Sequence, residues 1–253
     1  MQISSSWQKL IHAKEWIKTY LQRISWLYQI VMHWKARQHP ALLVRKGFTR
    51  IVIEAYPRSS NSYCVRLFRY ANPEVAGETI SHHSHSVSNV RHAVRWKIPV
   101  LVIVREPVTA ITSNMLAVQD TSDERLEILT TKYIDFHEWI RDNADKIVIV
   151  RFEDVVGSRL RMISMALNQK FGTTFRTDLD EEALAQHTRK SIELNSPNKA
   201  NPNKVPLPSP EREKSYRALR PRVRGNSSVK RATDLYDQIL AFAVQPGTSQ
   251  ESP

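Results

Sequence analysis

The sequence contains a single cysteine, only six glycines and no long apolar run. Cys64 alone cannot form an intramolecular disulfide or a cysteine-rich metal site, so the framework of small disulfide-bonded domains is excluded. No apolar run approaches the ~20 residues that a membrane-spanning helix needs, and the N-terminus lacks the apolar stretch and cleavage site of a signal peptide. We therefore expect a soluble, cytoplasmic protein.

The scarcity of glycine also limits the phosphate-binding loops that the chain can contain. The Gly-x-x-x-x-Gly-Lys-Ser/Thr motif of P-loop nucleoside triphosphatases is absent. A kinase also needs carboxylates placed to hold Mg²⁺, and the sequence shows no convincing set of them. A P-loop-type kinase or phosphotransferase is therefore the weaker nucleotide-dependent alternative, which Mg²⁺-dependent nucleotide binding would favour.

The composition is that of a globular protein with an excess of basic residues. The 253 residues are 41% hydrophobic and 25% charged, enough to bury one α/β core of ordinary size. With 37 lysines and arginines against 25 acids, the net charge is +12. This charge favours anionic ligands, nucleic acid or an acidic membrane surface, but it does not choose among them.

The basic excess is concentrated in the first fifty residues, which contain nine lysines and arginines and one acid, Glu15. Apolar residues recur there at steps of three and four, which predicts one long helix over residues 5–37. We assign residues 1–45 to this basic amphipathic segment. It can pack on the core or on a partner helix. Because it carries four tryptophans, it can instead lie peripherally on an anionic membrane surface.

From residue 46 onward, apolar strand-like runs alternate with helical patterns. This alternation predicts an α/β domain over residues 46–245, with a P-loop-like, mostly parallel central sheet flanked by helices. The predicted strands are 51–55, 75–80, 99–104 and 147–152. The predicted helices are 61–70, 86–96, 107–118, 123–143, 157–171, 181–188, 209–220 and 229–243. The proline-rich segment 195–210 predicts a loop, and residues 246–253 are expected to form a disordered tail.

A basic, hydroxyl-rich turn follows the first predicted strand and leads into a predicted helix at Asn61. The first N–H groups of a helix and its positive dipole end attract an anion, and a cation with small hydroxyl groups beside them completes a phosphate or sulfate site. We therefore expect a ligand to contact this turn and the first helical residues. The candidate binding residues are Arg58, Ser59, Ser60, Asn61, Ser62 and Tyr63.

A second anion site is predicted at the end of strand 99–104. Arg105 follows that strand directly, Pro107 is typical of a helix start, and Ser113 lies further along this helix. Ligands of open α/β sheets bind outside the carboxyl ends of the strands, so the two sites should share one ligand, a nucleotide with phosphates at both ends. Asp154 follows the next strand, where we expect it to cap a helix.

These motifs resemble those of the sulfotransferases that use 3′-phosphoadenylyl sulfate (PAPS). Residues 208–212 and 232–237 look like the ending of that family's carbohydrate-type and bacterial branches. In that family the first strand runs into a loop of the form basic-Ser-Gly-Thr/Ser-Thr/Ser, to which residues 58–62 are similar. The family's second strand ends in Arg, an acid or Asn, and usually Pro, with a Ser eight positions after the Arg, as at residues 105–107 and Ser113. Residues 151–156 look like its Tyr/Phe-Glu-Asp-Leu element. The resemblance covers about residues 51–241.

The chain departs from the family pattern in two places. Ser60 stands where the family usually has glycine, so the loop must either avoid a positive φ or accept strain of about 1 kcal/mol or more. The family's Arg-Lys-Gly element near the C-terminus has no clear counterpart. The basic residues nearest to its place are Arg222, Arg224 and Lys230.

The resemblance implies a role for each candidate residue. Arg58 and the hydroxyl groups of Ser60 and Ser62 would hold the 5′-phosphosulfate, and Arg58 would stabilise the charge that builds as sulfate departs. Arg105 and Ser113 would bind the 3′-phosphate. PAPS would be the sulfuryl donor, no metal would be needed, and the acceptor would be a hydroxyl or amine of a saccharide, lipid or small molecule.

Transfer to a hydroxyl group requires a base, and residues 81–85 contain three histidines, His82, His83 and His85. His83 lies 22 positions ahead of Arg105, a separation similar to that between the catalytic His and the 3′-phosphate Arg in the family's cytosolic branch. We therefore place His83 first and His85 second as catalytic base, with Glu78 as a backup. The cluster can instead be a metal site or a non-catalytic surface loop, although no Cys or carboxylate flanks it as a further metal ligand.

A non-enzymatic function is the third alternative. A basic protein can use its N-terminal helix and loop arginines on nucleic acid or acidic lipid. Steep salt dependence of polynucleotide binding, unaffected by adenosine 3′,5′-bisphosphate, would favour that function. The sulfotransferase interpretation instead predicts no nucleic-acid partner.

Overall fold

The computed structural model describes residues 5–195 and 210–245, and it places four strands among helices. The strands are β1 (Ile51–Ala55), β2 (Ile80–His82), β3 (Val100–Val104) and β4 (Val148–Arg151). The helices are α1 (Ser5–Arg23), α2 (Ser25–Ala36), α3 (Asn61–Ala71), α4 (Val87–Arg95), α5 (Pro107–Val118), α6 (Asp123–Asp142), α7 (Phe152–Val156), α8 (Leu160–Phe171), α9 (Glu181–Asn195), α10 (Pro210–Arg224) and α11 (Ser227–Leu240).

The four strands form one parallel sheet in the order β2-β1-β3-β4. Val52 lies opposite Ser81 on one side and Val100 on the other, so β1 is an interior strand. A parallel α/β sheet flanked by helices is therefore confirmed. The weaker strand predicted at 75–80 is wrong in position, because a 3₁₀ turn at Gly77–Thr79 delays the start of β2 until Ile80.

The alternation of side chains along the strands divides the core into two layers. Val52, Val100 and Val102 belong to the layer that packs against α4, α5, α6 and α11. Ile53 and Leu101 belong to the opposite layer, with α3 and α8. Because helices cover both faces, the strands are nearly continuous apolar runs, as expected for a parallel sheet.

The single long helix predicted over residues 5–37 is wrong. Ile24 leaves the helical conformation, with φ −93° and ψ 85°, and divides the segment into α1 and α2. The break lets the two helices follow different surfaces: α1 packs along α6, whereas α2 packs against the turn at Pro40–Leu42.

Directional polar contacts attach α1 to the body of the protein. The His12 ring, which is 4% exposed, lies 2.7 Å from carboxylate oxygens of both Asp120 and Glu124. The Lys132 ammonium donates to Glu15. The Arg23 guanidinium donates two hydrogen bonds to the Asp135 carboxylate, at 2.8 and 3.0 Å. Together these contacts fix which side of α1 faces the protein.

Two segments outside the sheet lie against its outer strands. The turn at Pro40–Leu42 packs beside β2, where the Ser81 hydroxyl donates to the Ala41 carbonyl at 3.2 Å. On the other side, the backbone N–H of Val244 donates to the carbonyl of Ile149 in β4 at 2.9 Å. Each outer strand therefore has a neighbouring segment of the same chain.

Other predicted elements agree with the structure more closely at their starts than at their ends. The helices predicted from residues 61, 107, 123 and 181 begin at those residues, although the last of them continues to Asn195. The helix predicted at 157–171 corresponds to α8 but begins three residues later, and the short helix α7 was not predicted. The predicted loop and tail fall largely or wholly on 196–209 and 246–253, outside the described residues. In the part of the chain that is described, no helix is long and apolar enough to cross a membrane.

The contact of α1 with α6 should strengthen at acid pH. Burial disfavours protonation of His12, but its hydrogen bonds with Asp120 and Glu124 outweigh burial and raise its pKa above the ordinary 6.5. A raised pKa in the folded state gives stability that is fully present below 6.5 and is lost as the pH rises through the folded value. The unfolding temperature (Tm) of wild type should therefore exceed that of His12→Gln by about 2–4 °C near pH 5.5. A gap that is as large or larger near pH 8.5 would contradict the assignment.

Candidate functional site

Three loops meet at the carboxyl end of the sheet. Because β1 lies between β2 and β3, the loop after β1 adjoins the loop after each neighbour. The chain also reverses its direction of winding between β1 and β3, which is the position where open α/β sheets form their ligand crevice. The loop at 56–60, which we call the phosphate loop, and Arg105 therefore lie beside the expected crevice.

The phosphate loop takes a strained path without glycine. Arg58 has φ 70° and Ser60 has φ 62°, in the left-handed region that side chains with a Cβ rarely adopt. The departure noted at Ser60 is thus accommodated by strain. Ser60 is also the N-cap of α3, yet its side chain makes no capping hydrogen bond. The first N–H groups of α3 are consequently not satisfied by a capping side chain.

Buried polar atoms in the phosphate loop and at the start of α3 lack a hydrogen-bond partner among the described residues. Ser59 is 1% exposed and Asn61 is 4% exposed. Within the described residues, the Ser59 hydroxyl and both polar atoms of the Asn61 amide form no hydrogen bond. Native structures rarely leave such groups unsatisfied unless a ligand or water completes them. These orphaned atoms fit a polar ligand seated at the start of α3.

Arg105 and Ser113 reach the phosphate loop from the β3 side. A guanidinium N–H of Arg105 donates to the carbonyl of Arg58. The Nε–H of Arg58 donates to the Ser113 hydroxyl at 3.2 Å, and Ser113 lies fully buried in α5. The two arginines and the serine that the sequence placed in separate anion sites are therefore in contact.

The surroundings of Arg105 hold its guanidinium and backbone in place. The guanidinium lies over the Phe152 ring, 3.9 Å from the ring centroid, in a cation–π contact. The Tyr133 hydroxyl donates to the Arg105 carbonyl at 2.8 Å. After Arg105, the Glu106 carboxylate accepts from the N–H groups at the start of α5, which fixes the helix that carries Ser113.

The histidine segment, residues 82–85, adjoins the phosphate loop from the β2 side. His83 Nε2 lies 2.7 Å from the Ser62 hydroxyl, and its Nδ1 contacts Nδ1 of His82. Both ring nitrogens of His83 are thus engaged. His83 has φ 61° and His85 has φ 49°, so four of the seven described non-glycine residues with positive φ lie in these two loops. Such clustering is typical of functional sites.

All three histidines are held neutral. Burial, followed by the charges of neighbouring groups, lowers the pKa of His82 to about 4 and that of His83 to about 3. Burial also lowers the pKa of His85, although its hydrogen bond to a backbone carbonyl opposes the shift. Neutral imidazole is the form that accepts a proton, but a very low pKa makes it a weak base at neutral pH.

His85 differs from His83 in its hydrogen bonds. Its Nδ1–H donates to the Ala55 carbonyl at 2.7 Å, since that carbonyl can only accept. This bond fixes the tautomer and leaves the lone pair on Nε2 for another group. His85 also lines an open cavity of about 290 Å³ between α1, α4 and α6. A molecule entering from solvent can therefore approach His85.

A buried carboxylate that the sequence analysis missed supports the histidine segment. Glu54, in β1, is fully buried. It accepts hydrogen bonds from the N–H and hydroxyl of Ser84, at 3.0 and 2.6 Å, and from the N–H of His85 at 3.1 Å. Burial raises the pKa of Glu54 to about 7. The available signal was a single acid within an otherwise apolar strand.

Several sequence candidates lie away from this cluster. The Tyr63 side chain is buried and its hydroxyl contacts Ser158 at 2.7 Å. Glu78 precedes β2, so it lies at the amino end of the strands, whereas the site lies at their carboxyl end. Arg222 pairs with Asp123 at the start of α6.

Two further residues have structural surroundings. Asp154 does not cap a helix, because α7 begins directly after β4 and already includes it; Asp154 instead pairs with Arg159 at 3.0 Å. Cys64 is fully buried, and burial raises the pKa of its thiol to about 12. A thiol in this environment packs as a small apolar side chain.

The described residues show no metal site, and the comparisons with known proteins found no match. Within residues 5–195 and 210–245, no group of three or more His, Cys, Asp or Glu side chains could hold a metal ion. No family model matches the chain, and no curated protein or solved structure matches it either. The functional assignment therefore depends on the geometry of the site.

Replacing Glu54 by Gln should weaken the fold and remove part of its pH dependence. The new NH₂ group would face at least one N–H donor of the histidine segment, and the lost hydrogen bond should cost about 1–3 kcal/mol. Because the pKa of Glu54 is raised from 4.5 to about 7, its contribution is present below 4.5 and is lost as the pH rises through 7. Urea unfolding across that range should show a steeper loss of stability in wild type than in Glu54→Gln.

The exposed Glu127 on α6 provides a matched control. Glu127→Gln removes one carboxylate without touching the histidine segment, so it should unfold as wild type does at every pH. Equal slopes for wild type and Glu54→Gln would contradict the role assigned to the buried carboxylate.

Proposed function

We propose that the chain is a sulfotransferase that moves a sulfuryl group from PAPS to a hydroxyl or amine acceptor by in-line displacement. The observation that carries this proposal is the contact of Arg58, Arg105 and Ser113 beside the orphaned polar atoms of Ser59 and Asn61. Two cations, two hydroxyl groups and a helix N-terminus on one crevice suit a ligand with more than one anionic group.

In this scheme the phosphate loop binds the 5′ end of the nucleotide. The N–H groups at the start of α3, the Ser59 hydroxyl and the Asn61 amide would hold the 5′-phosphosulfate. Arg58 would stabilise the negative charge that builds on the leaving oxygen, since a guanidinium keeps its charge at any working pH. Its five N–H donors allow protein and ligand contacts at the same time.

Arg105 and Ser113 would bind the 3′-phosphate in the same crevice. The cation–π contact with Phe152 and the capped start of α5 hold both groups in position before the ligand arrives. Such preorganisation lowers the entropy lost on binding. A nucleotide without a 3′-phosphate would leave this part of the site unused.

His85 is the base that the geometry favours within the proposal. A general base needs a lone pair in its neutral form, and His85 Nε2 has one because Nδ1–H is bound to the Ala55 carbonyl. His83 uses both ring nitrogens inside the site and would instead position Ser62. His85 would take the acceptor proton while the Ala55 carbonyl stabilises the resulting imidazolium.

Calorimetry with adenosine 3′,5′-bisphosphate tests the nucleotide site. Wild type should bind this compound more tightly than ADP, without Mg²⁺, because only the bisphosphate engages Arg105 and Ser113. Arg105→Ala should weaken binding at least about tenfold, the cost expected for losing hydrogen bonds to a charged group. Arg95→Ala, at an exposed arginine at the end of α4, is the matched control and should bind as wild type. Tighter binding of ADP that requires Mg²⁺ would favour a kinase.

Paired histidine variants identify the base, once an acceptor has been found by screening with labelled PAPS. His85→Gln should lower kcat about 10²- to 10⁴-fold while the nucleotide Kd changes little. Because the pKa of His85 is lowered, kcat/KM should fall only as the pH drops below the ordinary histidine value of 6.5. Full activity in His85→Gln together with loss in His83→Gln would assign the base to His83.

A further inference from the structure

The helix α1 turns its polar side toward the protein and its apolar side toward solvent. His12 and Thr19 are 4% and 3% exposed, respectively. Leu10, Ile17 and Tyr20 are 61%, 61% and 64% exposed. An amphipathic helix of a globular protein normally has the reverse arrangement, with its apolar stripe against the core.

The polar contacts described above prevent α1 from rolling over. His12 is bound to two carboxylates and Glu15 to Lys132, while Arg23 is bound to Asp135 at the end of the helix. Turning the apolar stripe inward would break all of these contacts and cover the charged groups on the body of the protein with apolar side chains. The outward orientation of the apolar stripe is therefore stabilised by specific polar contacts on the other side of the helix.

The outward stripe is continuous. Leu10, Ala13, Ile17 and Tyr20 are spaced by three and four residues, so they lie on one side of the helix, and all of them are exposed. An open apolar groove of about 370 Å³ runs beside them, with Trp16 and Leu21 among its lining residues. A continuous apolar patch of this kind is typical of a surface that binds another protein or a membrane.

The next helix, α2, also exposes apolar side chains. In α2, Ile30, Val31 and Trp34 are 52%, 39% and 68% exposed. The Arg37 guanidinium stacks on the Trp34 ring, 4.7 Å from its centroid. Exposed tryptophan beside a basic side chain is typical of segments that lie at a membrane surface.

The charged side chains around the apolar stripe are basic, which favours an anionic partner. Lys9, Lys14 and Lys18 are exposed on α1, and the only acid on this helix, Glu15, is already paired with Lys132. A second copy of the chain would bring the same cations face to face in a two-fold interface, because the first fifty residues contain nine basic residues and one acid. An anionic lipid surface accepts both the apolar stripe and the lysines.

We propose that α1 docks flat on an anionic lipid bilayer, with Leu10, Ile17 and Tyr20 inserted between the headgroups and the lysines at the phosphate level. This inference is independent of the nucleotide site, since none of the residues that carry it belongs to the phosphate loop or the histidine segment.

Vesicle sedimentation tests this docking directly. The full chain should sediment with vesicles of phosphatidylcholine containing about 30% phosphatidylglycerol, but not with phosphatidylcholine alone, and added salt should weaken the binding. Leu10→Asn/Ile17→Asn should lower the partition coefficient at least about tenfold. Lys9→Gln/Lys14→Gln should lower it about 25-fold, at about fivefold for each charge removed.

Matched controls use exposed residues elsewhere on the protein. Met165→Asn on α8 and Lys230→Gln on α11 remove an exposed apolar group and an exposed charge, and both variants should bind as wild type. Equal binding to neutral and anionic vesicles, or wild-type binding by Leu10→Asn/Ile17→Asn, would overturn the proposal. A lipid-free dimer that the same double substitution dissociates would also overturn it, in favour of self-association.

Discussion

The site is organised by the hydrogen bond that the Arg105 guanidinium donates to the carbonyl of Arg58. This bond connects the ends of β3 and β1 across the position where the ligand crevice should form. It also holds a loop whose backbone is strained at Arg58 and Ser60. Positive φ angles at residues with a Cβ persist only where surrounding contacts over-determine them, and here a charged donor and the buried Ser113 supply those contacts.

On the β2 side of β1, the histidine segment is held by hydrogen bonds to a buried carboxyl group. Glu54 lies within β1 itself and accepts hydrogen bonds from Ser84 and His85, so the interior strand carries the support for the histidine segment. Ser62, at the start of α3, contacts His83 and closes the connection between the two loops. A carboxyl group with a pKa of about 7 and three neutral imidazoles thus lie beside the phosphate loop, whose positive charge comes from arginine. Arginine stays charged in such a setting because its pKa is so high.

How far the sequence predicted this arrangement depends on the range of the interactions. The starts of β1, α3 and α5 follow from local patterns, such as the apolar run before Tyr56 and Pro107 at a helix start, and these predictions are confirmed. The break at Ile24 and the inverted orientation of α1 depend on partners more than a hundred residues away, such as Asp120 for His12. The role of Glu54 was not predicted, because it depends on hydrogen bonds with Ser84 and His85, which the sequence alone does not place beside β1.

The two outer strands of the sheet bear on how the chain tolerates trimming. The turn beside β2 and the backbone N–H of Val244 on β4 cover edges that would otherwise offer unpaired peptide groups to another molecule. Removing either segment would leave the strand beside it with unpaired peptide groups, to which a strand of another molecule can bind. A chain without either segment should therefore associate through its uncovered strand more readily than the full chain does.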